Sequence, residues 1–210
     1  MSFAAHPLRP LFGLLLLAAL PLTASPDPPA RKSTETATAD TPAESGMDTL
    51  RKLALPGEHH AGLQPIVGEW ETELKIWLSL DAEPIVTTGE AVTHWILGGR
   101  FVETTYRAEF MGQPFEGKGV EGYDNYAKEY VGTWRDTLGT YTMLFKGQCE
   151  DDCRVRTMVA QFTEPVSGQR MTSRTVTTVI DDVSYKFESF LVAPDGKTFK
   201  NLEITARRKK

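Results

Sequence analysis

Histidine and cysteine are scarce in this chain, and their scarcity excludes several kinds of chemistry. The 210 residues contain four histidines and two cysteines. His59 and His60 have no third histidine or free cysteine at a spacing typical of zinc ligands, and no C-x-x-C-H sequence could attach haem covalently. Neither Ser167 nor Ser173 lies in a recognisable nucleophile elbow. The sequence therefore predicts no metal site and no cofactor, and it identifies no catalytic residue.

An excess of basic charge is also lacking. The formal net charge is -5, and the basic residues do not gather on one recognisable element. Nucleic-acid binding requires a concentrated positive surface, so the sequence predicts no nucleic-acid partner. We interpret the basic C-terminal end, RRKK, as a solvated tail.

The apolar run LFGLLLLAALPL is too short to span a bilayer comfortably. It follows a start that carries Arg9 and no acidic residue, and it leads to LTAS, with Ala24 at a cleavage point. This is the pattern of a secretory signal peptide. We therefore expect residues 1–24 to be a cleaved signal, the protein to be secreted or periplasmic, and the mature chain to have no transmembrane span. An uncleaved N-terminal anchor is the less favoured alternative, because Pro21 and Pro26 flank the predicted cleavage point.

The next segment lacks large apolar residues. Four prolines and many Ser, Thr and Ala residues stand between residues 25 and 46. Such a composition cannot bury enough surface to offset the entropy of ordering. We interpret residues 25–48 as a disordered linker and residues 50–208 as one domain of ordinary length.

Helical periodicity is absent from most of that domain, whereas strand alternation is nearly continuous. About ten segments alternate between apolar and polar residues and are separated by short turns, from WETELKIWLS at 70–79 to FKNLEITARR at 199–208. One short helix candidate, GEHHAGLQPIV, precedes them. The sequence predicts an all-β fold: a single up-and-down antiparallel β-barrel with a short N-terminal capping helix. A two-sheet sandwich is the alternative, but its crossovers usually need longer connections.

A series of motifs resembles a known family. In order they are HxxLxxxVGEW, WILGGRF, F-x-G-x-G-x-x-GYDN, KxYVxTWxD and DGKxFKxLEIxxxRK. The string resembles the bacterial domain-of-unknown-function family 1579, with a calycin-like barrel related to lipocalins and fatty-acid-binding proteins. The resemblance implies that Gly68 and Trp70 open the first strand and that Arg207 or Arg208 covers the tryptophan. It supplies a fold and no reaction. Ten-stranded relatives that bind haem use a late histidine, and none follows His94 here.

The pair Gly98-Gly99 predicts a tight hairpin and, with it, a register. Numbers that sum to 197 are then paired, so Trp95 faces Val102 and His94 faces Glu103. The face that carries Trp95 is mostly apolar and suits an interior. The other face carries opposite charges and suits solvent, which makes His94–Glu103 a surface pair. In this register Arg100 points inward.

A buried arginine keeps its charge and needs a partner. An internal carboxylate such as Asp136 or Glu203 would make Arg100 structural, and this is the favoured interpretation. A ligand carboxylate or phosphate would make it an anchor, as arginines are in calycins that bind fatty acids. Both interpretations stay open.

Aromatic and basic residues on the predicted strands are further candidates for ligand binding. Core packing is the commoner role for barrel aromatics, and lining a ligand site is the functional alternative. Arg174 stands mid-strand, where an outward position is the simpler interpretation, and Asp124 is expected to cap its turn. The candidate ligand-binding residues are Arg100, Trp95, Tyr106, Tyr123, Trp134 and Arg174.

The two cysteines flank a short acidic loop, in GQCEDDCRV. Opposite positions at a hairpin mouth have separations compatible with a disulfide. We predict a structural Cys149–Cys153 bond, since a redox-active pair usually shows C-x-x-C at a helix start.

The favoured functional hypothesis is non-covalent binding of one small apolar or amphipathic molecule in the barrel. One alternative is a small hydrolase or isomerase that uses cavity carboxylates. Another is a packed barrel without a ligand that acts as an envelope interaction module. The sequence identifies neither the ligand nor the oligomeric state.

Overall fold

The computed structural model of the chain describes residues 42–150, 152–165 and 167–210, with side chains from residue 45. The predicted signal peptide, and residues 25–41 of the predicted linker, lie outside the described residues.

Two α-helices and one 3₁₀ helix precede the barrel: α1 at Pro42–Leu53, α2 at Glu58–Ala61 and the 3₁₀ helix at Gln64–Ile66. The capping segment predicted from GEHHAGLQPIV contains α2 and the 3₁₀ helix. Helix α1 was not predicted, and it occupies the end of the segment interpreted as a linker. Met47 and Leu50 recur at helical spacing, Arg51 pairs with Asp48 one turn earlier at 2.9 Å, and basic residues in the last turn suit the helix dipole.

Ten strands follow and close into one antiparallel barrel. Each strand pairs with its sequence neighbours, and β1 also pairs with β10. The strands are β1 (Gly68–Ile76), β2 (Ile85–Ile96), β3 (Phe101–Phe110), β4 (Gln113–Asp124), β5 (Glu129–Asp136), β6 (Met143–Glu150), β7 (Val155–Thr163), β8 (Arg170–Asp181), β9 (Ser184–Val192) and β10 (Thr198–Arg208). The predicted all-β up-and-down barrel is confirmed, and closure leaves the sheet with no unpaired edge.

The β2–β3 hairpin has the predicted register. Trp95 pairs with Val102 and His94 with Glu103. The turn itself differs from the prediction, because pairing stops one residue earlier, at Ile96 and Phe101. Leu97 adopts a positive φ of 49° and is 68% exposed. Strand alternation therefore does not extend into the turn, and the prediction that Arg100 points into the barrel is wrong.

The charge pairing on the outer face of this hairpin also differs in part from the prediction. The Nε2 atom of His94 lies 3.8 Å from Glu103 Oε1, and both side chains are well exposed, as expected. Glu90 stands opposite Arg107 in the register but bonds Lys209 at 2.8 Å. The guanidinium of Arg107 instead contacts Glu116 on β4 at 2.9 Å.

The segment from the end of α1, at Leu53, to the 3₁₀ helix covers one end of the barrel, here called the capped end. Loops at this end hold the segment through backbone carbonyls. Arg100 Nε donates to Ala54 O at 2.9 Å, and Asn125 Nδ2 donates to the carbonyls of Leu53 and Leu55 at 2.8 and 2.9 Å. The turn arginine therefore fastens the cap to the barrel.

Trp70 and Arg208 join the cap to the β1–β10 seam. Trp70 is fully buried, and its indole Nε1 donates to Ile66 O at 2.9 Å. The Arg208 guanidinium lies 4.2 Å above the Trp70 ring and donates to Val67 O at 2.9 Å. Gly68 makes room for this arrangement, because a Cβ there would lie 2.2 Å from Arg208 Nη1.

None of the helices in the described residues has the length and apolar character needed to cross a bilayer.

We predict that Gly68→Ala destabilises the barrel by about 3 kcal/mol, because it combines a strained positive φ with displacement of Arg208. Gly112→Ala is the matched control. Gly112 also has a positive φ, of 76°, but a Cβ there would meet nothing within 4 Å. Its cost should be about 1 kcal/mol from the φ strain alone. Urea unfolding followed by circular dichroism measures both, and equal losses would contradict the role assigned to Arg208.

Candidate functional site: the barrel lumen

Side chains from all ten strands point into the barrel. Inward residues that are almost fully buried include Leu74, Ala91, Val102, Tyr106, Tyr130, Ala160, Ser173 and Ala206. Other inward residues are only partly buried and pack against this core, among them Trp134 and Phe145 on β5 and β6 and Phe187 and Leu202 on β9 and β10. The space that these side chains enclose is the barrel lumen.

A buried ion pair faces this space. Arg156 is inward on β7 and only 2% exposed, and its Nε contacts the carboxylate of Glu121 on β4, which is 22% exposed. The guanidinium carbon also lies 5.5 Å from the centre of the Tyr130 ring. Arg156 Nη2 is buried and has no hydrogen-bond acceptor among the described residues. The lumen thus contains a charged side chain whose Nη2 group has no acceptor among the residues that the structure describes.

Tyrosines surround the ion pair and remain neutral. Burial raises the pKa of Tyr185, Tyr130 and Tyr106 above the ordinary tyrosine value. Tyr106 shares a hydrogen bond of 3.1 Å with Thr72, which acts against the effect of burial on its pKa. These phenols therefore contribute hydrogen bonds and ring contacts rather than charge.

Glycines on β4 set the position of Trp134. A Cβ on Gly117 would lie 2.2 Å from the Trp134 ring, and one on Gly119 would lie 3.1 Å from it. The indole Nε1 donates to Asp136 Oδ2 at 2.9 Å, which fixes the ring in the space that the glycines provide. Trp134 therefore forms a flat apolar wall of the lumen.

The end of the barrel opposite the cap has an apolar rim. Five loops lie at this end. The three that join β1 to β2, β3 to β4 and β5 to β6 each carry a large apolar side chain that is more than half exposed. They are Leu78, Leu80, Met111, Leu138 and Tyr141.

Two grooves also lie on the outer wall. One, of about 720 Å³, crosses β10 to β3 and is lined by charged residues such as Glu71, Glu90 and Arg207. The other, of about 240 Å³, crosses β3 to β6 and is lined by apolar residues such as Val131 and Leu144. Most of these side chains point away from the lumen, so neither groove is the interior cavity expected from the sequence.

The structure separates the candidate ligand-binding residues into three groups. Tyr106 and Trp134 face the lumen. Trp95 and Tyr123 lie at the capped end, where Trp95 Nε1 donates to Gln64 Oε1 at 2.8 Å and Tyr123 stacks on His59 at 4.2 Å. Arg174 lies outside the barrel, over the ring of Phe190 at 4.4 Å.

The two residues suggested as internal partners of Arg100 lie elsewhere. Asp136 accepts from Trp134 and Tyr141, and Glu203 accepts from Lys200 at 2.7 Å. Arg100 stays in its turn, where it also donates to Leu97 O at 3.1 Å. The Asp124 carboxylate accepts from the backbone of the β4–β5 turn at 2.7 and 3.0 Å.

Cys149 and Cys153 are joined by a disulfide at the capped end. Asp152 and Cys153 both adopt positive φ values. Tyr130 lies beside the bond, with its hydroxyl 3.0 Å from Cys153 Sγ, and it donates to His59 O at 2.7 Å. The disulfide is therefore part of the contact between barrel and cap.

Sequence reasoning missed both members of the lumen ion pair. The available signal was alternation: Arg156 is in step with Met158, Ala160 and Phe162 on β7, and Glu121 is in step with Tyr123 on β4. A charge on an otherwise apolar strand face indicates a buried pair or a site, but pattern alone does not show that β4 and β7 residues meet across the lumen.

The fold and the lumen together define a closed ten-stranded barrel with a polar group inside. Residues 55–208 match the family described as a protein of unknown function, DUF1579, and the chain belongs to that family. No curated protein matches the chain.

One solved structure shows a similar fold. Rv2717c from M. tuberculosis superposes with a TM-score of 0.56 at 14% identity, over 74% of this chain and 99% of that chain. At this identity the likeness concerns the fold alone. A redesigned β-barrel aligns over 73% of this chain and 96% of that chain at 16% identity, but its TM-score of 0.36 is too low to support an argument.

We predict that the cap loses stability as the pH falls below about 6.5, the ordinary pKa of histidine. His60 is 4% exposed, its Nδ1 accepts from Gly57 N at 3.0 Å, and burial holds its pKa below the ordinary value. His60 therefore binds a proton more readily in the unfolded chain than in the folded protein. The folded state keeps its full stability above the unfolded-state pKa of His60 and loses stability as the pH falls below that value.

Urea unfolding at about pH 7.5 and pH 5.5 measures the effect. His60→Gln should flatten the dependence in this window, whereas the exposed-site control His94→Gln should keep it. A His60→Gln protein with the full wild-type dependence would show that another group is responsible.

Proposed function

We propose that this protein binds a small, neutral amphipathic molecule in the barrel lumen beside Arg156 and carries it without covalent chemistry. One observation supports the proposal most directly: the buried Arg156 guanidinium has an Nη2 group without an acceptor among the described residues. Leaving a buried charged donor unsatisfied costs more than about 1–3 kcal/mol, so such a group in a lumen suits a ligand oxygen.

The neighbouring carboxylate determines the kind of oxygen. Glu121 already supplies the negative charge that balances Arg156. A ligand carboxylate would place a second negative charge beside Glu121 in a partly desolvated site, which is unfavourable. A carbonyl, ester or hydroxyl oxygen accepts from Nη2 without that repulsion. The proposed ligand therefore has a neutral polar end rather than the acidic head that an unpaired arginine would favour.

The rest of the ligand is apolar in this proposal. Trp134 and Phe145 are partly buried aromatic residues that face the lumen, and Met158 lies against Gly132, where a Cβ would meet its Cε at 3.4 Å. Access would be at the uncapped end, where the exposed apolar rim is compatible with passage of an apolar molecule. The polar end of the ligand would go in first, because Arg156 lies nearer the capped end.

The same geometry favours binding over catalysis. A carboxylate acting as a general base must be free to take a proton. Glu121, a carboxylate inside the barrel, is engaged with Arg156. The Glu121 side chain is 22% exposed, which is compatible with internal space beside the pair.

We predict that Nile red, a neutral dye with a carbonyl acceptor, binds more tightly than the anionic dye anilinonaphthalene sulfonate. The variant Arg156→Met/Glu121→Gln removes the donor without leaving a lone buried charge. It should weaken Nile red binding by about 10- to 100-fold, the equivalent of one charge-assisted hydrogen bond. Fluorescence titration of the purified chain measures these affinities.

Arg174→Met is the matched control, because it removes an arginine from the outer wall and should leave both affinities unchanged. Glu121→Gln alone retains Arg156 and should shift selectivity towards the anionic dye. Unchanged Nile red affinity in the double variant, together with unchanged selectivity in Glu121→Gln, would refute the proposed site.

We also propose that the chain is exported with residues 1–24 as a cleaved signal. The basic start, the short apolar run and the small-residue exit support this proposal, and a disulfide suits an oxidising compartment. Expression of the full chain in a Gram-negative host should give a periplasmic protein whose intact mass corresponds to loss of about 24 residues. An uncleaved protein in the membrane fraction would support the anchor alternative instead.

A further inference from the structure

We propose that Cys149 and Cys153, once their disulfide is reduced, form with His59 a binding site for a thiophilic divalent cation such as Zn²⁺ at the capped end of the barrel. The site is separate from the lumen ion pair, and it does not depend on the proposed ligand.

The three side chains converge from distant parts of the chain. His59 belongs to helix α2, Cys149 ends β6, and Cys153 lies in the loop before β7. One imidazole nitrogen of His59 and the two cysteine sulfur atoms all lie within 4.8 Å of one another. Two thiolates and an imidazole are donors that zinc prefers, and reduction frees the two sulfur atoms to move apart to the roughly 3.8 Å that tetrahedral Zn–S bonds require.

The neighbouring contacts hold His59 at the two sulfurs. Its ring stacks on Tyr123 with centroids 4.2 Å apart, and its backbone carbonyl accepts from the Tyr130 hydroxyl at 2.7 Å. Helix α2 also packs directly on the loop, because a Cβ on Gly62 would lie 2.9 Å from Cys153 Cβ. The imidazole is thus positioned by contacts that do not involve the disulfide.

Water can supply the fourth ligand, because the His59 side chain is 46% exposed and the site is open on that side. The Tyr130 hydroxyl lies 3.0 Å from Cys153 Sγ and 3.6 Å from Cys149 Sγ, but it is a neutral phenol that donates to His59 O and is not counted as a ligand. Three protein ligands plus an open fourth position is an arrangement that zinc accepts.

Formation of the site requires a balanced reduction. A dithiol reductant gives two electrons and two protons to the disulfide, the S–S bond breaks, and two thiols form while the reductant becomes its own disulfide. Binding of the cation then releases the two thiol protons. The oxidised and metal-bound forms exclude each other, so the cation stabilises the reduced form.

The barrel should survive the reduction. The disulfide spans a sequence separation of 4, and closing so short a loop contributes only about 2 kcal/mol on the chain-entropy estimate. Carbonyl contacts from Arg100, Asn125 and Arg208 continue to hold the cap. The site can therefore be tested in the folded, reduced chain.

The test is titration of the purified chain with Co²⁺ after reduction by a phosphine. We expect one equivalent to bind with a thiolate-to-cobalt charge-transfer band, and the oxidised chain to show no such band. His59→Ala should weaken binding by at least about tenfold, since even outer-shell changes at metal sites have effects of this size. His94→Ala, a control at an exposed histidine, should bind like the wild type.

Two outcomes would overturn the proposal: absence of the charge-transfer band in the reduced chain, or equal affinity of His59→Ala and the wild type. Thermal unfolding gives a second measurement. Zn²⁺ should raise the melting temperature of the reduced wild type but not that of reduced Cys149→Ser/Cys153→Ser. A reduced wild type whose melting temperature does not respond to Zn²⁺ contradicts the site even if reduction weakens the fold.

Discussion

The pairing of β1 with β10 is the constraint on which the other features of this protein depend. It converts a ten-stranded meander into a closed barrel and leaves no unpaired sheet edge. Trp70 and Arg208 stand opposite each other at the capped end of this seam, where the guanidinium covers the indole and reaches back to carbonyls before β1. The contact therefore joins the first strand, the last strand and the cap. Loss of a fully buried tryptophan typically costs about 3–5 kcal/mol, which is a large part of the stability of a domain this size.

Closure also brings charged residues of distant strands together inside the barrel. Glycines on β4 let the Trp134 ring pack close to the backbone, and Arg156 on β7 meets Glu121 on β4. A buried ion pair is weak evidence for added stability, because desolvation offsets much of the attraction. In the binding function that we propose, the pair would supply a fixed, charged donor in a confined space.

Much of the architecture could be predicted because strand alternation and turn residues are local properties. The number of strands, the closed barrel and the β2–β3 register followed from them and are confirmed. The candidate site could be predicted only in part. Tyr106 and Trp134 do face the lumen, but Arg100 fastens the cap, because its turn leaves the strand alternation one residue earlier than expected. Arg156 was overlooked, since its partner Glu121 lies 35 residues earlier in the chain, on a strand that is not its neighbour.

By itself, the sequence determined the fold class and the faces of most strands, because both depend on a two-residue period and on short turns. Only the tertiary structure decided which charges share the interior and which side chains meet at the cap. Those contacts join β4 to β7, and α2 to the loop between β6 and β7, across distances that no local pattern encodes. Closure of the barrel sets them, because the curvature and stagger of all ten strands together fix which inward positions lie opposite one another.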